Sequence, residues 1–223
     1  MENSQKFKTI NHTALTLEMK KYAEECDVPI ITDECLEVML QFLRLKRPKR
    51  ILEIGTAIGY SSIMMVSYIL GSKVVTIERN DTMHEKATEY IGRSNFAEEI
   101  DIIHADALEF DTSKLEGQPF DVIFIDGAKA GYQKFFQKYE HLLAQGGMIV
   151  SDNLRFHGYV DGKINMTGSK RGGVMEDTGE KISKNLRDLI RKINNYKQWL
   201  AENKDYNTLY LPVGDGIAIS IRK

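Results

Sequence analysis

The sequence predicts an α/β fold: a mainly parallel sheet of seven strands with helices on both faces, a C-terminal antiparallel hairpin and an N-terminal helical segment. Three observations carry this. From residue 50 onward, short Val- and Ile-rich runs alternate with segments of helical period. Those runs are almost continuously apolar, as in strands covered on both sides. The chain then closes with two further apolar runs around Gly214-Asp215-Gly216, a turn sequence that suits an antiparallel pair at the sheet edge.

The elements follow in order. Residues 13–27 read as a polar-faced helix, ended near Pro29. Thr32 is a good N-cap for the next helix, with Asp33 and Glu34 in its first turn, where carboxylates favour the helix dipole. Leu36, Met39, Leu40 and Leu43 give that helix its apolar stripe, and Pro48 ends it. RILEIG, from residue 50, is the first strand, and a helix follows over about 60–70. KVVTIE (73–78), a helix over 81–94 and IDIIHAD (100–106) come next. FDVIFID (120–126) is the most apolar strand, followed by a helix over 131–144. Gly146-Gly147 then leads into GMIVSDN (147–153). Residues 155–179, rich in Gly, Ser and charge, read as a long loop of the kind that often serves function. A helix over 180–202 carries Ile182, Leu186, Leu189, Ile190 and Ile193 at a 3.6-residue period. TLYLPVG and IAISIRK form the hairpin. The whole chain, 1–223, reads as one domain: a helical segment over 1–47 and a core over 48–223.

The composition, 42% hydrophobic and 28% charged, is that of a soluble globular protein and excludes disorder, collagen and coiled coil as whole-chain descriptions. A net charge of −2 excludes a uniformly basic nucleic-acid coat but hides an asymmetry. Residues 1–154 carry 17 basic and 24 acidic groups, and residues 155–223 carry 13 and 8. A basic C-terminal third can mark an anionic partner, or simply solvated helix faces. Two cysteines, Cys26 and Cys35, make no disulfide framework, so reduced, packing thiols in a cytoplasmic protein are expected. The N-terminus has no apolar signal core, and the uncharged run Ile54–Ser72 reads as a glycine loop entering a buried helix rather than as a membrane span.

Ligands of doubly wound sheets bind at the carboxyl ends of the strands. Here each of the five predicted parallel strands has an acid inside it or just after it: Glu53, Glu78, Asp106, Asp126 and Asp152. The loop Glu53-x-Gly55-x-x-x-Gly59 is neither a dinucleotide fingerprint nor a P-loop. A carboxylate opening the loop repels phosphate and suits a cationic amino group, as in S-adenosylmethionine. On its own the loop is equally a tight strand-to-helix turn. Glu78 ends the second strand, where a carboxylate can accept from both ribose hydroxyls. Asp106, followed by Ala107, can accept from an adenine amine. Each of these acids also reads as a helix cap, and it is the ordered set that favours an adenosyl ligand. Asp126, Asp152 and Asn153 are hard oxygen donors of the kind Mg²⁺ takes, and adjacent carboxylates favour a bound cation. Lys129, three residues after Asp126, is either a base beside that site or an ordinary exposed lysine.

At these motifs the sequence resembles the Mg²⁺-dependent O-methyltransferases that include the catechol and caffeoyl-CoA enzymes. LEIGTAIGYSS, TIERN, HADALE, DVIFIDGAKAGY and VSDN match in order and spacing. VPIITDECLEVMLQFL, FFQKYEHLL and YLPVGDGIAIS are similar to the bacterial branch that methylates 5-hydroxyuridine in tRNA. The resemblance implies a Rossmann-like class I methyltransferase fold and the cofactors S-adenosylmethionine and Mg²⁺. It implies cofactor contacts at Ile31, Ser61, Glu78, Asp106, Ala107 and Asp126, joining Glu53, Gly55 and Gly59 of the loop. It implies metal ligation by Asp126, Asp152 and Asn153, a general-base role for Lys129 beside Asp126 in the catalytic centre, and a homodimer. Arg155 and His157 depart from the family pattern, and the loop after them is longer than expected. These departures bear on the substrate. Both catechol and 5-hydroxyuracil offer the two neighbouring oxygens that a Mg²⁺ chelate needs. The expected reaction is therefore methylation of a tRNA wobble 5-hydroxyuridine in the anticodon loop. A small catechol-like substrate is the alternative, and a non-catalytic adenosyl-binding module is a third reading. Arg155, Lys163, Lys170 and Arg171 are expected to border the substrate, with Tyr159 and His157 placed to stack on bases.

Overall fold

The computed structural model describes residues 10–155, 165–166, 175–176 and 184–223. The first helix, α1 (Ala14–Glu25), starts in a capping box in which the Thr13 hydroxyl accepts from Thr16 N–H. Helix α2 (Asp33–Lys46) is capped by Thr32, as its sequence predicts, and buries Leu36, Met39, Leu40 and Leu43. Strand β1 (Arg50–Ile54), helix α3 (Tyr60–Tyr68), strand β2 (Lys73–Glu78), helix α4 (Asp81–Arg93) and strand β3 (Ile100–His104) then alternate. A 3₁₀ turn over Thr112–Leu115 precedes β4 (Phe120–Ile125) and α5 (Tyr132–Tyr139). Strand β5 is Leu143–Ser151, β6 (Asn165–Met166) pairs with β7 (Met175–Glu176), and α6 (Lys184–Glu202) leads to the hairpin β8 (Tyr206–Leu211) and β9 (Ile217–Arg222).

The seven-stranded sheet has the order β3-β2-β1-β4-β5-β9-β8, parallel through β5 and antiparallel in the hairpin. Its two faces carry separate apolar cores. One packs α1 to α4 through residues such as Met39, Ile63 and Tyr90 against Ile51 and Phe124. The other packs α5 and α6 through Phe136, Ile193 and Tyr196 against Leu52 and Ile123. Adjacent residues of β1 and β4 thus enter opposite cores, which is why these strands read as unbroken apolar runs. Among the described residues no helix is long and apolar enough to cross a membrane.

The largest departures from the sequence reading are at α5 and β5. The helix expected over 131–144 stops at Tyr139, and a 3₁₀ turn over Glu140–Leu142 ends it. Strand β5 begins at Leu143, before the glycine pair, and the β4–β5 register shifts between Phe120 and Val122 to absorb the extra residues. Most of the segment 155–179 lies outside the described residues, but within it the β6–β7 pairing is regular structure that the loop reading missed. Of the two free cysteines, Cys35 is buried as expected and Cys26 is exposed.

Candidate functional site

The strand order reverses between β1 and β4, and a crevice lies at their carboxyl ends. Gly55 sits at this junction with φ +100, and a Cβ on it would lie 2.6 Å from the Asp126 carbonyl oxygen. Only glycine lets β1 turn this close to β4. The crevice is a cavity of about 860 Å³, within the range of small-molecule sites.

One end of the cavity is acidic and rigid. The Glu78 carboxylate accepts from Ala57 N–H at 2.9 Å, Arg79 N–H at 2.9 Å and Asn80 N–H at 2.8 Å. Asn80, not Glu78, caps α4 by accepting from Met83 N–H, so the capping alternative for Glu78 falls away. Asp106 accepts from Leu108 N–H at 2.8 Å, a local turn contact, while its other oxygen lies 3.3 Å from the Arg79 guanidinium. Both carboxylates, with Ala107, line the cavity.

Glu53 requires a correction. It is fully buried, one oxygen accepts from the Ser61 hydroxyl, and the other accepts from Ser62 and, at 2.6 Å, from Thr76. Thr76 in turn meets Thr56 of the glycine loop at 2.6 Å. Glu53 therefore holds the loop and the start of α3 from behind rather than facing a ligand. Burial raises its carboxyl above the usual range, the three hydroxyls oppose that shift, and the Glu78 charge adds to it. Ser61 serves the same hub. Gly59, at φ +83, is the N-cap of α3, and Ile31 is buried in the core below. Glu53, Ser61, Gly59 and Ile31 do not line the cavity, whereas Pro29 and Ile30, beside Ile31, do.

The other end of the cavity carries Asp126, Lys129 and Asn153, with Asp152 buried directly behind. Burial and the Asp152 charge hold the Asp126 carboxyl well above the usual carboxylate range, while the Lys129 ammonium draws it down. Asp152 is likewise raised, chiefly by burial, with the Cys35 thiol and the Asn153 N–H opposing. Asp152 Oδ1 and Asn153 Oδ1 are buried and have no hydrogen-bond partner among the described residues. Orphaned buried acceptors are costly, and two facing carboxylates repel. A hard cation resolves both problems, so the donor set fits Mg²⁺, which takes few protein oxygens and keeps its waters. Among the described residues no group of three or more His, Cys, Asp or Glu is arranged to hold a metal, and this set is two carboxylates and an amide.

Several lining residues were not anticipated. Arg79 directly follows Glu78, and Phe135 belongs to the apolar face of α5. Leu189 and Lys192, three apart on α6, share a helix face that lines the cavity, and only Leu189 was visible in the apolar pattern. Arg155, expected to border the substrate, instead directs its guanidinium at the carbonyls of Pro212 and Gly214. His157, Tyr159, Lys163, Lys170 and Arg171 lie outside the described residues.

Residues 3–223 match the profile of a protein family described as O-methyltransferase. A Staphylococcus aureus protein assigned as a caffeoyl-CoA O-methyltransferase shares the fold at a TM-score of 0.82, with 35% identity over 95% of this chain and 93% of that one. An O-methyltransferase from Bacillus cereus, crystallised in complex with SAH, superposes at a TM-score of 0.75 with 21% identity, covering 96% of this chain and 93% of that one. The catechol O-methyltransferase of Niastella koreensis is 33% identical over 129 residues, which are 56% of this chain and 57% of that protein.

Proposed function

The chain belongs to the O-methyltransferase family, and from that premise we propose that it moves a methyl group from S-adenosylmethionine to a hydroxyl oxygen with a second oxygen beside it, using Mg²⁺ held by Asp126, Asp152 and Asn153. The observation that carries this reading is a cavity whose wall runs from Glu78 and Asp106 to Asp126, Lys129 and Asn153. It joins an acidic end at Glu78 and Asp106 to a hard-oxygen end at Asp126 and Asn153. When bound, S-adenosylmethionine supplies an electrophilic methyl and Mg²⁺ supplies charge that lowers the pKa of the acceptor hydroxyl.

The chain's own residues do the rest. Glu78, pinned by three backbone N–H groups, offers its remaining lone pairs to ribose hydroxyls. Asp106 offers an acceptor to the adenine amine. With the methyl donor and the cation bound, Lys129 Nζ on the same wall would accept the proton that the acceptor hydroxyl loses as it takes the methyl. Alignment of the two reacting atoms contributes much of the acceleration.

Within this class we infer 5-hydroxyuridine at the tRNA wobble position as the substrate, giving 5-methoxyuridine. Its 5-hydroxyl and 4-carbonyl are the required oxygen pair. The excess of 13 basic over 8 acidic groups in residues 155–223 suits a phosphate backbone. A small catechol is the second reading, favoured by the Niastella koreensis relative. Methylation of 5-hydroxyuridine-containing tRNA and of free catechol, each with Mg²⁺ or chelator and at rising salt, tests both readings. Transfer to tRNA that falls steeply with salt is expected. Transfer to catechol alone would give the second reading, and transfer to both in excess chelator would end the metal assignment.

A further inference from the structure

Asn153 has φ +63, a left-handed conformation that asparagine adopts more readily than other side-chain-bearing residues. The segment just after it is tied to the hairpin turn at 212–216. Leu154 N–H donates to the Gly216 carbonyl at 2.8 Å, and Arg155 N–H donates to the Asp215 carbonyl at 2.6 Å. The Arg155 guanidinium reaches the same turn, with Nη1 3.2 Å from the Pro212 carbonyl and 3.4 Å from the Gly214 carbonyl. From its other side the turn is seated on α2. The Cys35 sulfur lies 3.2 Å from the Val213 carbonyl oxygen, and a Cβ on Gly214 would lie 2.4 Å from Thr32 Oγ1. A Cβ on Gly216 would lie 2.5 Å from Arg155 Cγ. The turn is therefore wedged between the start of α2 and the segment that carries Asp152 and Asn153.

We propose that Arg155 is a positioning residue: it clamps the 212–216 turn against the Asp152–Asn153 segment and so fixes the two orphaned oxygens for a divalent cation. This rests on the metal reading given above. The residue had looked like a contact for substrate phosphate, yet its guanidinium lies on two backbone carbonyls at once. Both contacts are made by one nitrogen, Nη1, at the end of the planar guanidinium.

The test compares wild type, Arg155→Ala and Arg155→Lys by Mn²⁺ titration, SAH titration and hydrogen exchange at the Leu154 amide. Arg155→Ala is expected to weaken Mn²⁺ binding about 10- to 100-fold, as loss of an outer supporting residue does. SAH affinity should stay unchanged, because Glu78 and Asp106 are untouched. Exchange at Leu154 should speed up by about tenfold or more as the clamp loosens. Arg155→Lys should fall between Arg155→Ala and wild type in both Mn²⁺ affinity and exchange. Unchanged Mn²⁺ affinity and exchange in Arg155→Ala would overturn the proposal. Should wild type bind no Mn²⁺, the metal reading fails by itself. Leu154 exchange then still decides the clamp: faster exchange supports it and unchanged exchange removes it.

Discussion

Replacing Gly55 with alanine tests the idea that backbone closeness at the β1–β4 junction builds the cavity. The new Cβ would meet the Asp126 carbonyl oxygen at 2.6 Å, its carbon at 2.8 Å and Gly127 Cα at 2.9 Å. All three are backbone atoms, so none can swing aside. Two costs add. Holding a positive φ costs an L-residue about 1–2 kcal/mol. Forcing an extra carbon into close-packed surroundings costs a further ~1–3 kcal/mol. The sum is about 2–5 kcal/mol, a large share of the roughly 5–15 kcal/mol that a domain has. Gly71 supplies the control, because it has φ +82 and nothing within 4 Å of its Cβ position. Gly71→Ala should therefore show only the conformational part. Urea unfolding with unchanged slope measures both variants. Because the clash falls on the backbone of Asp126, Gly55→Ala should also weaken SAH and Mn²⁺ binding, which Gly71→Ala should leave alone. Equal losses in the two variants would refute the steric argument.

Glu53→Gln should change how stability depends on pH. A carboxyl raised in the folded state contributes stability that is fully present below its unfolded value, near 4.5, and is lost as pH rises through the folded value. The Gln variant lacks this loss, so it should gain on wild type as pH rises above about 4.5; a difference in urea midpoint that ignores pH would count against the buried-hub reading. Glu78→Ala should weaken SAH binding by roughly 1–3 kcal/mol, the cost of unmade bonds to a charged acceptor, measured by calorimetry. Asp152→Ala should abolish Mg²⁺-dependent turnover with SAH binding nearly intact, and Asp126→Ala should damage both. Full turnover of Asp152→Ala in excess chelator would contradict the assignment. Tyr196→Phe should cost about 1 kcal/mol, because the Ser151 hydroxyl pairs with Tyr196 at 2.7 Å in a buried place.

What the sequence discloses here is which residues stand at strand ends, because apolar runs and their closing acids are local patterns. Glu78, Asp106 and Asp126 were legible for that reason, and all three line the cavity. What it conceals is pairing across the sheet. Glu53 sits on β1 opposite Thr76 of β2 in the parallel register, and that register turns an apparent ligand acid into a buried acceptor of hydroxyls. No spacing within the chain announces it, since Thr76 is 23 residues away and Ser61 and Ser62 belong to the next helix. Arg155 is concealed in the same way by partners 57 and 59 residues later. The extra length of β5 escaped because two glycines read as a break, whereas a register shift can carry them inside a strand. The pattern has a physical cause. A residue that faces the crevice needs only to lie at the end of its own strand, so its role follows from local sequence. A residue that holds the crevice in shape acts through an element distant in sequence, so its role appears only when the strands are in register.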